Sequence, residues 1–263
     1  MLRIILILCG LLQAIPALAE CPRIVSQSPY VTIALDWLGQ GACVVGVSRY
    51  DRKDDVPKTG GVFDPDAAAI AALKPGLIVT PDWIAADDLA KVTPPGARTL
   101  RLGGFASMND AEAMLNTLAE ASGAPGGREK VAEFARDWRV RAARVGGGGK
   151  RVLLLSACEG SPYSYGAQTT VADLFTHAGF VVVETDPKIR SIGPGAEIQD
   201  LKTLVERMQP DIVFNFSQPM ADRCDAAFGT LPVRRITLNG EHFVHPGPRL
   251  LQGLDDLIEE MSW

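Results

Sequence analysis

The sequence predicts an α/β chain folded as two lobes, each with a central, mainly parallel sheet, joined by one long helix. Three observations carry that prediction. Short β-branched runs alternate with helical stretches along the chain, the order in which parallel strands are laid down beneath covering helices. The strand-like runs fall into two groups of about four, which suits two small sheets better than one large one. Between the groups lies a single long amphipathic stretch, residues 128–145, followed by four consecutive glycines.

The N-terminus reads MLRIILILCGLLQAIPALAE. One cation, Arg3, precedes an apolar run from Ile4 to Leu12, and Ala17-Leu18-Ala19 supplies the small residues of a cleavage site. The run is shorter than the about 20 residues needed to cross a bilayer. Residues 1–19 are therefore expected to be a signal peptide, and the mature chain an exported, periplasmic protein of about 244 residues. Glu20, rather than a small residue, precedes Cys21, which argues against lipid attachment there. Loss of the leader removes one of 26 cations and none of 31 acids, so the formal charge moves from -5 to about -6. An acidic chain of this balance is not expected to bind nucleic acid. With Cys9 gone, Cys21, Cys43, Cys158 and Cys224 form an even set in an oxidising compartment and are expected to form disulfides. Of the three possible pairings, Cys21–Cys43 with Cys158–Cys224 keeps each bridge within one half.

The first lobe, residues 20–125, has strand candidates at 23–26, 44–47, 77–79 and 99–102. Helical stretches lie between them at 31–39, 66–73 and 85–92. Asp64-Pro65 and Lys74-Pro75-Gly76 bracket the middle one with helix-start and helix-stop chemistry. Residues 126–149 form the link. Within it Val131, Phe134, Ala135, Trp138 and Ala142 share one helical face, with Arg and Glu on the other. Gly146–Gly149 is expected to be a flexible loop; no strand precedes it with the spacing of a phosphate-binding loop. The second lobe, residues 150–263, has strands at 152–155, 181–184, 212–216 and 235–238, and helices at 169–178, 198–208 and 248–261. Each lobe is thus Rossmann-like, with strands, crossovers and turns in alternation.

Several runs, taken in order, resemble the periplasmic binding proteins of ABC importers for cobalamin, ferric siderophores and haem. They are Arg23-Ile24-Val25-Ser26-Gln27-Ser28-Pro29, Val44-Val45-Gly46-Val47-Ser48, Gly60-Gly61 and Ala71-Ala72-Leu73-Lys74-Pro75-Gly76-Leu77-Ile78-Val79, followed by Gly166 before Leu174 and Ala178-Gly179, then Gln209-Pro210-Asp211-Ile212-Val213 and Pro246-Gly247-Pro248-Arg249-Leu250-Leu251. The resemblance implies a ligand cleft between two lobes joined by a backbone helix, a small-molecule ligand, and an ABC permease of the inner membrane as partner. It also implies a monomer with no intrinsic cofactor, although the ligand can itself be a cofactor: a cobalamin-like corrinoid, a ferric chelate or a quinone. Two departures stand out. Haem carriers of this group offer a Tyr soon after the Gly-Gly position, where this chain has Val62-Phe63-Asp64, so Tyr ligation of haem is disfavoured. The family's docking glutamates are replaced by Ala68 and Thr203, with Asp66 and Asp200 nearby.

In open α/β sheets ligands bind beyond the carboxyl ends of the strands. The residues that follow the strand candidates supply Tyr30, Arg49, Tyr50, Phe63, Trp83 and Phe105 from the first lobe, and Tyr163, Tyr165, Gln218, Glu241 and His242 from the second. All 4 Tyr of the chain are among them, and aromatic walls with a few polar groups suit a bulky, rigid ligand. Tyr50 is the leading candidate, since cobalamin binders of the family present a Tyr there, and Arg49 beside it can pair with a carboxylate or phosphate. Glu241-His242-Phe243-Val244-His245 is the one cluster with metal-capable side chains, but it falls short of the three or four ligands of a dedicated site. The expected function is capture of a corrinoid or ferric siderophore for import, without catalysis. The alternatives are a stand-alone carrier of a flat polycarboxylate cofactor such as pyrroloquinoline quinone, using Arg49 and Arg190, and an exported hydrolase. For the hydrolase, Ser156 is the nearest thing to a nucleophile, but G-x-S-x-G, H-E-x-x-H and P-loop motifs are absent from the sequence.

Overall fold

The computed structural model describes residues 21–156, 162–217 and 231–262. The expected signal peptide, Cys158, Cys224 and Gln218 lie outside the described residues.

The first lobe is a four-stranded, all-parallel sheet of β1 (Ile24–Ser26), β2 (Val44–Val47), β3 (Leu77–Pro81) and β4 (Arg98–Leu102), in the order β2-β1-β3-β4. Its crossovers carry α1 (Pro29–Trp37), α2 (Ala67–Ala72) and α3 (Ala86–Val92). Pro29 opens α1, where its missing N–H costs nothing, and the Asp66 side chain accepts the Ala69 N–H to cap α2. Two further helices follow, α4 (Met108–Ser122) and α5 (Gly127–Val145).

The second lobe holds β5 (Arg151–Ser156), β6 (Tyr163–Tyr165), β7 (Val181–Val182), β8 (Ile189–Ser191), β9 (Ile212–Ser217) and β10 (Arg234–Asn239), with α6 (Thr170–His177), α7 (Leu201–Met208) and α8 (Leu250–Met261). Strands β10, β9, β5 and β7 run parallel, while β6 and β8 are antiparallel additions beyond the end of β5. The fold is therefore the expected two-lobed α/β class, with one parallel and one mixed sheet.

Period-2 alternation explains how each sheet is covered on both faces. Ile24, Leu77, Val79, Val152, Leu154, Ile212 and Phe214 point into a core shared by α1, α4, α5, α6 and α8. Val25 and Ile78 point the other way, into a cluster with Ile70 of α2 and Leu89 of α3. Leu153, Leu155 and Val213 likewise meet Leu204 and Met208 of α7. Helix α5 lies where the lobes meet, with Val131, Phe134, Trp138, Ala142 and Val145 buried as its sequence period requires.

Three features differ from expectation. Helix α4 was not anticipated, because its Ala- and Asn-rich sequence dilutes the apolar period. Its ends are clear in the structure: Ser107 accepts the Asp110 N–H, and Gly123 turns left-handed at φ 70°. Strands β6 and β8 are too short for a periodic signal. The four glycines are not a loose linker. The Gly147 N–H donates to Ala178 O and the Gly149 N–H to Gly179 O, at 2.9 and 2.8 Å, and a Cβ on Gly147 would lie 2.8 Å from the Phe180 ring. Glycine is needed there for close approach, and the turn is pinned to the end of α6.

Cys21 and Cys43 form a disulfide with Cα atoms 5.9 Å apart, tying the start of the described chain to β2 across 22 residues. The loop-entropy relation gives about 3 kcal/mol for a loop of that length. Cys43→Ser is therefore expected to lower unfolding free energy by about 3 kcal/mol in urea titration under oxidising conditions, and to leave nothing further for a reductant to remove at this bridge.

Candidate functional site

A cavity of about 440 Å³ opens between the lobes. Its floor is the first turn of α1, one wall is the segment after β2, and the other is the segment from Glu241 to Arg249 that leads from β10 into α8. All three are carboxyl-end connections of parallel strands, where a doubly wound sheet places its ligands. The lobes are also bonded behind the cavity. Thr170 at the start of α6 donates its N–H to Phe105 O and its hydroxyl to Gly104 O, at 2.8 and 2.6 Å. The Met108 N–H donates to Asp173 Oδ2 at 2.7 Å.

The aromatic side chains form a connected wall. Tyr30 stacks on His245, with ring centroids 5.5 Å apart and planes at 16°, and meets Phe105 edge-on at 5.4 Å. Phe105 in turn packs against Trp83 at 5.1 Å. Tyr50 stands at the cavity edge, 68% exposed, with its ring over the Gly60-Gly61 turn: a Cβ added to Gly61 would come within 3.3 Å of Tyr50 Cε2. So large an exposed phenol, beside a half-exposed Trp83, is apolar area available to a ligand. Burial raises the Tyr30 hydroxyl far above the ordinary phenol range, with Asp82 adding to the effect, so it stays protonated and donates weakly to Leu102 O at 3.4 Å.

His245 lines the cavity and is exposed to solvent. The protein around the ring lowers its pKa below the usual 6.5, towards about 4, chiefly by desolvation, and Arg249 adds to the fall, against a smaller upward pull from Glu241. The imidazole is thus neutral at pH 7, with a lone pair available to a metal centre. Because the folded-state pKa lies below the unfolded one, the unfolded chain binds more protons between the two values. Stability should then fall as pH drops from about 6.5 to about 4. Urea unfolding at pH 7 and pH 5 is expected to show a smaller loss in His245→Gln than in the parent.

Of the sequence candidates, Tyr30, Tyr50 and Glu241 line the cavity, and Phe105 and Trp83 continue its wall. The others are placed elsewhere. Arg49 pairs with Asp64 and lies beside the Tyr50 ring, 5.9 Å from its centroid, while Phe63 is 74% exposed and does not line the cavity. Tyr165 is buried edge-on against Phe216, and Tyr163 packs on Tyr165 at 5.3 Å; both serve the second lobe's core. His242 has both ring nitrogens engaged, Nδ1 with Asp256 at 2.6 Å and Nε2 with Asn239 at 3.3 Å. Arg190 is buried between Glu184 and Glu197, at 3.0 and 2.7 Å. Ser156 donates to Phe216 O at 3.4 Å. Among the described residues no group of three metal-capable side chains converges.

Asp36, Arg52, Lys53, His245 and Arg249 also line the cavity, at positions that do not directly follow the strand signals. Glu241 takes Arg52 from the other lobe at 2.6 Å on one oxygen and Arg249 at 3.0 Å on the other. The sequence signal for His245 was present in the Glu241–His245 cluster. Its assignment over His242 depends on a short 3₁₀ turn, Gly240–His242, that sends the two imidazoles in different directions.

No family model matches the chain, and no curated protein matches it in sequence. Solved structures do match its fold. The periplasmic heme-binding protein RhuT from Roseiflexus sp. RS-1 superposes with a TM-score of 0.73 at 20% identity, over 92% of this chain and 98% of that one. HutB of Vibrio cholerae, a periplasmic heme-binding protein, gives 0.74 at 16% over 92% and 99%. The periplasmic vitamin B12 binding protein BtuF of Vibrio cholerae gives 0.70 at 19% over 92% and 97%. At these identities the likeness establishes a shared fold.

Proposed function

We propose that this chain is the periplasmic ligand-capturing protein of an ABC importer, taking a bulky metal chelate of the corrinoid or ferric-siderophore type into the interlobe cleft without chemistry of its own. One observation carries the reading: Tyr30, Tyr50 and His245 line the cleft, and Phe105 and Trp83 extend the ring cluster of Tyr30 and His245 beyond it. Flat apolar faces of this kind match a rigid macrocycle or chelate, and a neutral imidazole among them suits one that carries a metal. The fold is that of proteins named for binding haem and vitamin B12, both of which are flat metal macrocycles. A monomer would deliver the ligand to a permease of the inner membrane. Asp66 and Asp200, which cap α2 and α7 at exposed positions, are the acidic groups nearest the expected docking points of the two lobes.

Trp83 is a built-in reporter, since a coloured chelate on the wall quenches it by energy transfer. Titration with cyanocobalamin, ferric siderophores and haem is expected to quench the protein's fluorescence at micromolar or lower ligand in at least one case. Quenching by none of them at micromolar protein would remove the reading.

A further inference from the structure

Tyr50 is 68% exposed, so the direction of its ring is set mostly from beneath. Beneath it lies the Gly60-Gly61 turn. Gly60 has φ 86°, and a Cβ there would come within 2.5 Å of Asp64 O, so only glycine closes this turn without strain. A Cβ on Gly61 would meet Tyr50 Cε2 at 3.3 Å and Arg49 Nε at 3.5 Å, so the ring lies on bare backbone. The turn is also bonded to the segment that carries Tyr50. The Arg49 N–H donates to Gly60 O at 2.7 Å, and the Thr59 N–H donates to Val47 O at 2.8 Å. From the sheet side the turn is held by Gln27, one residue past β1 and 1% exposed. Its Nε2 donates to both Thr59 O and Thr59 Oγ1, each at 3.2 Å.

Resting on the cleft reading above, we infer that Gln27 is a positioning residue for ligand binding: through Thr59 it fixes the Gly60-Gly61 turn, and the turn aims the Tyr50 ring into the cleft. Thr59 does not need this amide to be satisfied. Its hydroxyl donates to Val47 O at 3.0 Å, and its carbonyl takes the Asp66 N–H at 3.0 Å. A buried amide that bonds groups already partnered adds position more than net stability. The Gln27 N–H itself donates to Val79 O at 2.9 Å, so the side chain springs from an inner strand of the sheet, paired on both sides. The bonds from Val47 and Arg49 tie the turn to its own neighbouring segment, whereas the Gln27 amide ties both to the sheet. Released from Gln27, turn and ring shift together, because Arg49 follows Gly60. A ring that has to be reordered on binding costs affinity, which is the usual effect of lost pre-organisation.

The test is a double-mutant cycle with Tyr50. Affinity is read by quenching of tryptophan fluorescence, with whichever of cyanocobalamin, haem and ferrichrome binds the parent most tightly. Gln27→Met keeps the length of the side chain and removes its donors. It is expected to weaken binding about fivefold in the parent, the cost of ordering one side chain. In the Tyr50→Ala background it is expected to have no effect, and its melting temperature should stay within a few degrees of the parent's. Gly61→Ala, which sets a methyl group against the ring without touching Gln27, is expected to show the same dependence on Tyr50. A merely structural role would weaken both backgrounds equally. Unchanged affinity in Gln27→Met, or an equal loss with and without Tyr50, therefore overturns the inference while leaving the cleft reading in place. Should Gln27→Met fail to fold, Thr59→Val removes the acceptor hydroxyl instead, and the same two outcomes decide. Full affinity in Tyr50→Ala, or binding of none of the three chelates by the parent, overturns the inference and the cleft reading together.

Discussion

Trp138→Ala is expected to lower the melting temperature by roughly 10 °C, at about 2–4 °C per kcal/mol for a chain of this size. Trp138 is 1% exposed on α5, at the place where the two lobes share a core. Its Nε1–H donates to Glu112 Oε1 of α4 at 2.7 Å, and its ring meets His177 of α6 at 4.9 Å. The Arg139 guanidinium lies 4.4 Å from the ring centroid. Truncation leaves a cavity at the junction of three helices, a change that costs about 3–5 kcal/mol in comparable cores, and takes a donor from Glu112. Trp138→Phe keeps most of the volume and should cost markedly less. Equal melting of the alanine variant and the parent would mean that the lobes are not held through α5.

The double variant Tyr50→Ala/His245→Ala is expected to weaken chelate binding by roughly a hundredfold. Tyr50 exposes most of its ring at the cleft, so covering about 100 Å² of apolar surface is worth about 2.5 kcal/mol at 25 cal/mol/Å². Tyr50→Ala alone should account for most of the loss and leave the melting temperature within about 1 °C, because an exposed side chain contributes little to folding. Isothermal titration of parent and variants against the best ligand of the fluorescence panel provides the comparison. Unchanged affinity in the double variant would place the ligand away from this wall.

How much of this was legible in the sequence depends on the kind of signal. Buried parallel strands such as β5 and β9 are almost continuous apolar runs, and helix α5 shows its stripe plainly, so both lobes and their link could be read directly. Helix α4 was missed because Ala, Asn and Glu occupy many of its positions, and its packing on α5 and α6 is a tertiary fact. The site was legible to the extent that it follows strand ends: Tyr30, Tyr50 and Glu241 sit directly after β1, β2 and β10. Tyr165 is drawn into the core against Phe216 by a short antiparallel strand that no periodic signal marks, with Tyr163 half-buried beside it. Arg190 has the same origin, being consumed by Glu184 and Glu197 in a pairing that no local spacing announces. The Arg52–Glu241 pair joins residues 189 apart, a contact that only the folded chain creates.

A metal chelate bound against Tyr50 and His245 places its metal between the lobes. X-ray anomalous scattering at the metal's absorption edge, from crystals grown with the tightest ligand of the fluorescence panel, tests it most directly. A single strong peak is expected in the cleft, between Tyr50 and His245. A peak on the outer surface of either lobe, or no peak at saturating ligand, would contradict it.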